Sequence, residues 1–311
     1  MKELLRDVMI RNTRSVIDLK LPRRFASTLK VEPGDAEKEI YQGLTEYLRG
    51  KGLNRMTTNL LLREAGSSPF ALRETFLQLP GEGSDKETLA RRMEGLGDVS
   101  KGTALVGILK KNPAEKTVIF TQYLRSMDYI TDVLRRNEIP FVTFKGTLTP
   151  RDKDLAIDRF REEVPVLVST ESGGEGRNLQ FCNTLINFDL PWNPMRIEQR
   201  IGRLHRIGQT RDVFVFNLAV KGTLEDYIID ILDNKINMFE MVIGEIEPIL
   251  GHLEKEEDFE DIVMEIWLNS SNDRDLKTGF ERFGEELLAA KKEYLKAKSF
   301  DDELFGEEYE T

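Results

Sequence analysis

Five short apolar runs lie between residues 116 and 220, and most are separated by an amphipathic stretch long enough for a helix. KTVIFT (116–121) is followed by a helical pattern over Tyr123–Asn137, and FVTF (141–144) by one from Pro150 to Arg161. VLVS (166–169) leads into a glycine-rich turn. TLINF (184–188) precedes a helical pattern from about Pro194, and VFVFNLAV (213–220) closes the series. These runs are too short for helices and too evenly apolar for strands with one wet face. They read as strands covered on both faces, and strands joined through helices of roughly 10–15 residues run parallel. The pattern predicts an α/β fold with three layers around a mostly parallel sheet. Pro150 at a helix start and Asn137 near a helix end agree with it.

The flanks read differently. Residues 1–114 hold a short extended stretch near Phe25–Val31 and helical patterns at 35–49, 54–65, 69–79, 85–94 and 100–111. Thr223–Leu250 reads as one long helix that Gly251 ends. Residues 253–311 read as highly charged helix, with disorder expected from Phe300. The expected division is therefore 1–114, a linker and helical segment; 115–250, the α/β lobe with its long helix; and 251–311, an acidic helical tail.

Charge follows this division. The chain carries −10 overall, but 1–114 carries +5, 115–250 carries −4 and 251–311 carries −11. The acidity sits in the tail, so a local basic groove for nucleic acid is compatible with the total. No apolar run approaches the ~18 residues of a membrane span. MKELLRDVMIRNTRS has no apolar signal core, which predicts a chain that stays in the cytosol. One cysteine, Cys182, excludes an internal disulfide, and two histidines with one cysteine build no metal cluster. Cys182 stands just before an apolar strand and reads as a buried small hydrophobe.

The most specific string is QRIGRLHRIGQ, Gln199–Gln209. Arg203 and Arg206 are three apart and share one face of a helical turn. Two such guanidiniums suit a triphosphate, whose charge they meet through several N–H bonds. A generic R-x-x-R is more often a solvated basic face. Here the length of the string, its place after a fourth strand and a Gly202 that permits close packing favour the phosphate reading. His205, between the two arginines, reads as structural. Ser169 and Thr170 end a strand, and Gly173, Gly174 and Gly176 after them let the backbone approach a ligand. Thr121 and Gln122 end the first of the five strands, and Gly146 and Thr147 follow the second. Ends of parallel strands line the ligand crevice of α/β sheets.

At these residues the chain resembles the second lobe of superfamily-two helicases, in the form used by Swi/Snf-type DNA-translocating ATPases. Gln199–Gln209 resembles the sixth motif of that family, VIFTQY (118–123) the fourth and LVSTESGGEGRNLQ (167–180) the fifth. FKGTLTPRDKDLAIDRF (144–160), FDLPWNP (188–194) and KGTLEDYI (221–228) match further landmarks, and MIRNTRSVIDLKLPRR resembles the linker into the lobe. Details of the fifth motif and of DLPWNP lean toward the bacterial and archaeal branches.

The resemblance implies a RecA-like lobe followed by a brace helix. It implies that Arg203 and Arg206 are catalytic, and that Gly174, Glu175, Gly176, Asn178 and Gln199 contact the nucleotide. Glu175 is alternatively a helix cap. It implies DNA-phosphate contacts at Thr121, Gln122, Gly146, Thr147, Arg151, Ser169 and Thr170. Arg151 alternatively pairs with Asp154, and Trp192 is either a packing aromatic or a DNA contact. The chain contains neither a G-x-x-x-x-G-K-[ST] loop nor a D-E-x-H box. The expectation is thus half of a double-stranded-DNA translocase. ATP and Mg would be held mainly by an N-terminal lobe, in cis or as a separate subunit, in a prokaryotic cytosol or nucleoid. The rival expectations are the second lobe of a strand-separating helicase and a non-catalytic scaffold.

Overall fold

A computed structural model describes residues 21–80, 83–170, 179–241, 244–253 and 258–306. The five expected strands form as β2 (Thr117–Thr121), β3 (Phe141–Phe144), β4 (Val166–Thr170), β5 (Thr184–Asn187) and β6 (Val213–Val220). The extended stretch near the start is a sixth, β1 (Arg24–Val31). All pairings are parallel, in the order β1-β6-β5-β2-β4-β3. β2, β4 and β5 are buried at every residue, which is why their sequences read as unbroken apolar runs.

Alternate strand residues enter opposite layers. Ile119, Val166, Val168, Ile186 and Leu218 pack against α5 (Ser100–Lys111) and α6 (Leu124–Arg136). Val118, Phe120, Leu167, Leu185, Val213 and Val215 pack against α7 (Pro150–Glu162) and α8 (Pro194–Ile201) on the other side. That second layer also joins the helices α1 (Asp35–Lys51), α2 (Arg55–Ser67), α3 (Pro69–Gln78) and α4 (Ser84–Glu94). β1 pairs with β6 through eight consecutive residues, and α5 covers part of their face, so the sheet core draws on residues before 115.

The long helix expected over Thr223–Leu250 does not form as one piece. α9 spans Leu224–Asp230, and a wide π-type turn covers Ile231–Lys235. Asn237 takes φ +49, a 3-10 turn follows at Met238–Glu240, and α10 spans Ile246–Gly251. The reason is tertiary. Asn tolerates the left-handed region. The Arg24 guanidinium of β1 donates to the carbonyls of Phe239 and Met241, which a continuous helix would have used. Thr28 Oγ1 donates to Asp233, and Lys30 pairs with Asp226 and Asp230 at 2.8 and 2.6 Å.

The acidic tail is part of the body. α11 (Phe259–Asn269) and α12 (Asp273–Gly306) bury Phe259, Ile262, Val263, Trp267, Phe280, Phe283 and Leu287 in the main core. The helix continues past Phe300 to Gly306, where disorder was expected. Among the described residues, no helix is long and apolar enough to cross a membrane.

Candidate nucleotide and nucleic-acid site

Because every strand runs the same way, the C-terminal ends of β2, β3, β4 and β5 share one edge of the sheet. The segments 122–123, 145–149 and 188–193 leave from it. The expected DNA contacts fall into two groups along this edge. Gly146, Thr147 and Arg151 are exposed, beside β3 and in the first turn of α7. Thr121, Ser169 and Thr170 are buried. Thr121 Oγ1 donates to Asp189, and Ser169 Oγ donates to the Thr170 carbonyl at 2.9 Å. Trp192 is 2% exposed and packs in the core. Gly173, Gly174, Glu175, Gly176 and Asn178 lie outside the described residues, and Gln199 is exposed on α8.

One carboxylate organises the edge. Asp189 of the DLPWNP segment is 1% exposed. It accepts from the Gln122 backbone N–H at 2.9 Å, from Ser67 Oγ of α2 at 2.6 Å and from Thr121 Oγ1. Arg200 Nη1 donates to the Asp189 carbonyl at 2.7 Å and to Asn187 Oδ1 at 2.9 Å, and Nη2 stands 3.6 Å from the carboxylate. Ser126 Oγ links Ser67 and Ser68, each at 2.7 Å. A buried charge survives only when its lone pairs are used in this way.

A second buried carboxylate lies close by. Glu225, in the GTLED landmark, holds Lys101 Nζ at 2.5 Å and accepts the Leu190 N–H at 2.7 Å. Lys101 Nζ also donates to the Gly66 carbonyl at 2.8 Å. Burial pushes the Glu225 carboxyl up to about 7, while the ammonium of Lys101 pulls it down. Gly102 must lack a side chain, because a Cβ there would sit 2.0 Å from the Tyr129 hydroxyl.

The arginine string does not continue as helix. α8 ends at Ile201 with Gly202 as its C-cap, so Arg203 and Arg206 sit in the following turns, not on one helical face. The reason lies at the end of the string. Gln209 is buried, with Nε2 donating to the carbonyls of Cys182 and Leu204 at 3.0 and 3.2 Å. Its Oε1 accepts from the N–H groups of Thr210 and Arg211. Gly208 takes φ +99 against the Gln180 side chain. His205 meets the Pro22 carbonyl at 2.8 Å, the structural role expected of it. Arg203 is left half-buried and Arg206 exposed, and neither guanidinium bonds to another described residue.

The sequence reading missed Asp189, Glu225, Lys101 and Arg63 as parts of the site. Carboxylates inside apolar landmark strings were a usable signal, since they demand buried partners. Arg63 had none. It comes from α2, and Nη2 donates to Gln122 Oε1 at 3.0 Å, with the guanidinium 5.9 Å from the Trp192 ring centre. Among the described residues no group of three or more His, Cys, Asp or Glu is placed to hold a metal. Cys182 is buried, its thiol pushed up to about 12 by burial.

A parallel sheet with helices on both faces, ligand-competent strand ends and an exposed arginine loop define a RecA-like helicase C-terminal lobe. Residues 100–208 match the model of the helicase conserved C-terminal domain. A Bacillus subtilis (strain 168) protein described as an uncharacterized ATP-dependent helicase, YqhH, is 35% identical over 309 residues. The match covers 94% of this chain and 55% of that protein, so the chain spans about half the length of this relative. The C-terminal part of the Fun30 ATPase domain superposes with a TM-score of 0.56 at 21% identity, over 80% of this chain and 97% of that one. The Sulfolobus solfataricus SWI2/SNF2 ATPase core in complex with dsDNA gives 0.53 at 23% identity, over 87% and 54%. Residues 100–208 carry the helicase conserved C-terminal domain, and the chain has the fold of the C-terminal lobe in these helicase structures.

Proposed function

We propose that this chain is the second motor lobe of an ATP-dependent double-stranded-DNA translocase. The observation that carries the proposal is the contrast inside Gln199–Gln209. Arg200 is buried, with Nη1 held by Asn187 and Asp189, whereas Arg203 and Arg206 present two guanidiniums with no partner among the described residues. A charge pair left unanswered among the described residues suits a ligand of opposite charge, and the planar donors of arginine fit phosphate. The residues present therefore fit a nucleoside triphosphate with Mg, which supplies the phosphoryl group for transfer. Arg203 and Arg206 would neutralise charge at that phosphoryl group, and Gln199, Gly174, Glu175, Gly176 and Asn178 would border the nucleotide.

Nucleic acid would lie on the neighbouring sheet edge. Gly146, Thr147, Arg151 and Gln122 would meet backbone phosphates from the surface. Thr121, Ser169 and Thr170 would set the backbone from beneath. Such contacts position a strand without reading its sequence. The partner lobe, in cis or as a separate subunit, would supply the phosphate loop, and closing of the two lobes would advance the grip. A cytosolic location belongs to the same proposal.

The test is direct. The chain alone should hydrolyse ATP at background rate, measured by phosphate release with and without duplex DNA. Robust turnover by the pure chain that Arg206→Ala abolishes would sink the half-site reading. In the motor that includes the first lobe, a strand-displacement assay should show no strand separation despite DNA-stimulated ATP turnover.

A further inference from the structure

Two arginines of α2 are held by the first turn of the acidic segment. Arg63 Nη1 lies 3.1 Å from Glu260 Oε2, while its Nη2 bonds Gln122 at the end of β2. Arg55 Nη2 donates to Asp261 Oδ1 at 3.0 Å and to the Asp261 carbonyl at 2.8 Å. Eight residues at ~1.5 Å each set the two arginines about 12 Å apart along the helix, and about 80° of rotation leaves them on neighbouring faces. A nucleic-acid strand presents one charge per ~3.4 Å of axis, so this spacing is commensurate with a few successive phosphates.

We infer that Arg55 and Arg63 form a binding site for a nucleic-acid phosphodiester backbone, which Glu260 and Asp261 occupy in the free chain. The inference rests on the nucleic-acid reading above and extends its surface onto α2. Three observations support it. Arg63 already touches Gln122, so the new contacts are continuous with the sheet edge. Its Nε is buried with no hydrogen-bond partner, so the guanidinium is not saturated by Glu260 and Gln122. The Arg55–Asp261 pair is accessible, its side chains 44% and 52% exposed, while the Arg63–Glu260 pair beside it is partly buried, at 19% and 24%. Exposed pairs contribute little and exchange readily with another anion.

The exchange needs no movement of α11. Phe259, Ile262, Val263, Met264 and Trp267 remain in the core while the carboxylates, on short flexible arms, turn away. Deleting the tail would remove that core packing, so the test neutralises single charges instead.

The full chain, as wild type and as variants, is titrated with a short fluorescent DNA duplex across salt concentrations. The wild type should bind weakly, with a logarithmic salt slope of about −2 to −4. Glu260→Gln should tighten binding at least about threefold at low salt, because Arg63 then has no carboxylate to exchange for the phosphate. It should steepen the slope by about 0.9, one more phosphate engaged. Glu293→Gln, the same charge change on an exposed position of α12, should leave affinity within about twofold. Arg63→Ala should weaken binding and cancel the gain from Glu260→Gln in the double variant.

Equal gains from Glu293→Gln, or a gain that persists without Arg63, would overturn the site in favour of bulk charge. Salt-dependent binding by the wild type with no change in Glu260→Gln overturns the proposal and leaves the translocase reading standing. Parallel titrations with duplex RNA separate the two sources of such a backbone. A gain with RNA alone keeps the site and overturns the DNA reading. Binding to neither nucleic acid overturns both.

Discussion

Arg200 and Arg206 stand six residues apart in one string and live in opposite environments. Arg200, on α8, is enclosed by Asn187 and Asp189, with its guanidinium 5.5 Å from the Phe120 ring centre. Arg206, beyond the end of α8, faces solvent with no bond to a described residue. The same division holds for the amides and carbonyls around them. Gln209 is sealed into the loop by four hydrogen bonds, while Gln199 is exposed. A string that reads as one chemical motif is thus two devices. Its ends anchor a loop to the sheet, and its middle is held out, positioned but uncommitted. Precision at the exposed arginines depends on the buried members, since a loop fixed at both ends keeps its charges in place.

The largest effect should fall on rate. In the motor that includes the first lobe, Arg203→Ala or Arg206→Ala should lower ATP turnover by about three to five orders of magnitude. Duplex-DNA affinity should stay largely unchanged, and folding stability within about 0.5 kcal/mol. Retained turnover with a large loss of DNA affinity would reverse the assignment of the two faces.

Arg200→Ala should do the opposite. It leaves Asp189 buried with one charge partner fewer, which costs about 3–5 kcal/mol. Urea unfolding of the chain measures this, and a cost below about 1 kcal/mol would erase the distinction between anchored and presented arginines.

The loop anchors come next. Gln209→Ala strands the carbonyl and amide groups that its side chain serves, for about 1–3 kcal/mol. Gly208→Ala forces a side chain into a positive-φ position against Gln180, for about 1–2 kcal/mol. In the motor, both should lower turnover more than they lower the melting temperature would suggest, because the arginines lose their register. Turnover that tracks stability alone would show the anchors to be mere packing.

The smallest effect separates a satisfied carboxylate from an unsatisfied one. Asp189 has several donors, whereas the buried carboxyl of Glu64 has Thr75 Oγ1 at 2.8 Å and one oxygen without a partner. Burial pushes Glu64 up to about 7 from its ordinary 4.5. The folded state therefore holds this proton more tightly than the unfolded chain. Its contribution to stability is complete below about 4.5 and is lost as pH rises through 7. Glu64→Gln should flatten that part of the stability profile by on the order of 1 kcal/mol, solvent screening included. An unchanged profile would show that Glu64 ionises as freely as an exposed residue.

The sheet was largely legible because burial on both faces leaves a signature in each run. KTVIFT, FVTF, VLVS, TLINF and VFVFNLAV all became strands, and the helices after the first two began and ended within a residue or two of their expected limits, whereas the helix from Pro194 stops at Ile201, before the arginine pair. β1 was visible only as an extended stretch. Its alternate residues Arg24, Thr28 and Lys30 are polar because they bond the brace, so the apolar signal of a sheet strand is diluted. The brace itself misled for the same reason. Its apolar spacing is helical throughout, and the break at Asn237 follows from bonds offered by β1. In the site, the landmark strings drew attention to the right segments but not to the roles within them. Thr121 and Trp192 look alike to a reader seeking ligand contacts, yet both are inside.

By itself the sequence determined the layer order of apolar and polar surface, the parallel α/β class, and the presence of an arginine pair next to a fourth strand. Those properties are local, because periodicity and residue chemistry are carried by neighbours in the chain. The tertiary structure decided which charges are answered and which are left out. Asp189 meets Ser67 and Arg200, Glu225 meets Lys101, and Arg63 meets Glu260 across 124 to 197 residues in the farther cases. A charge is buried or exposed according to partners that only folding brings within hydrogen-bond reach. The division between anchoring and presented arginines could therefore not be read from spacing alone.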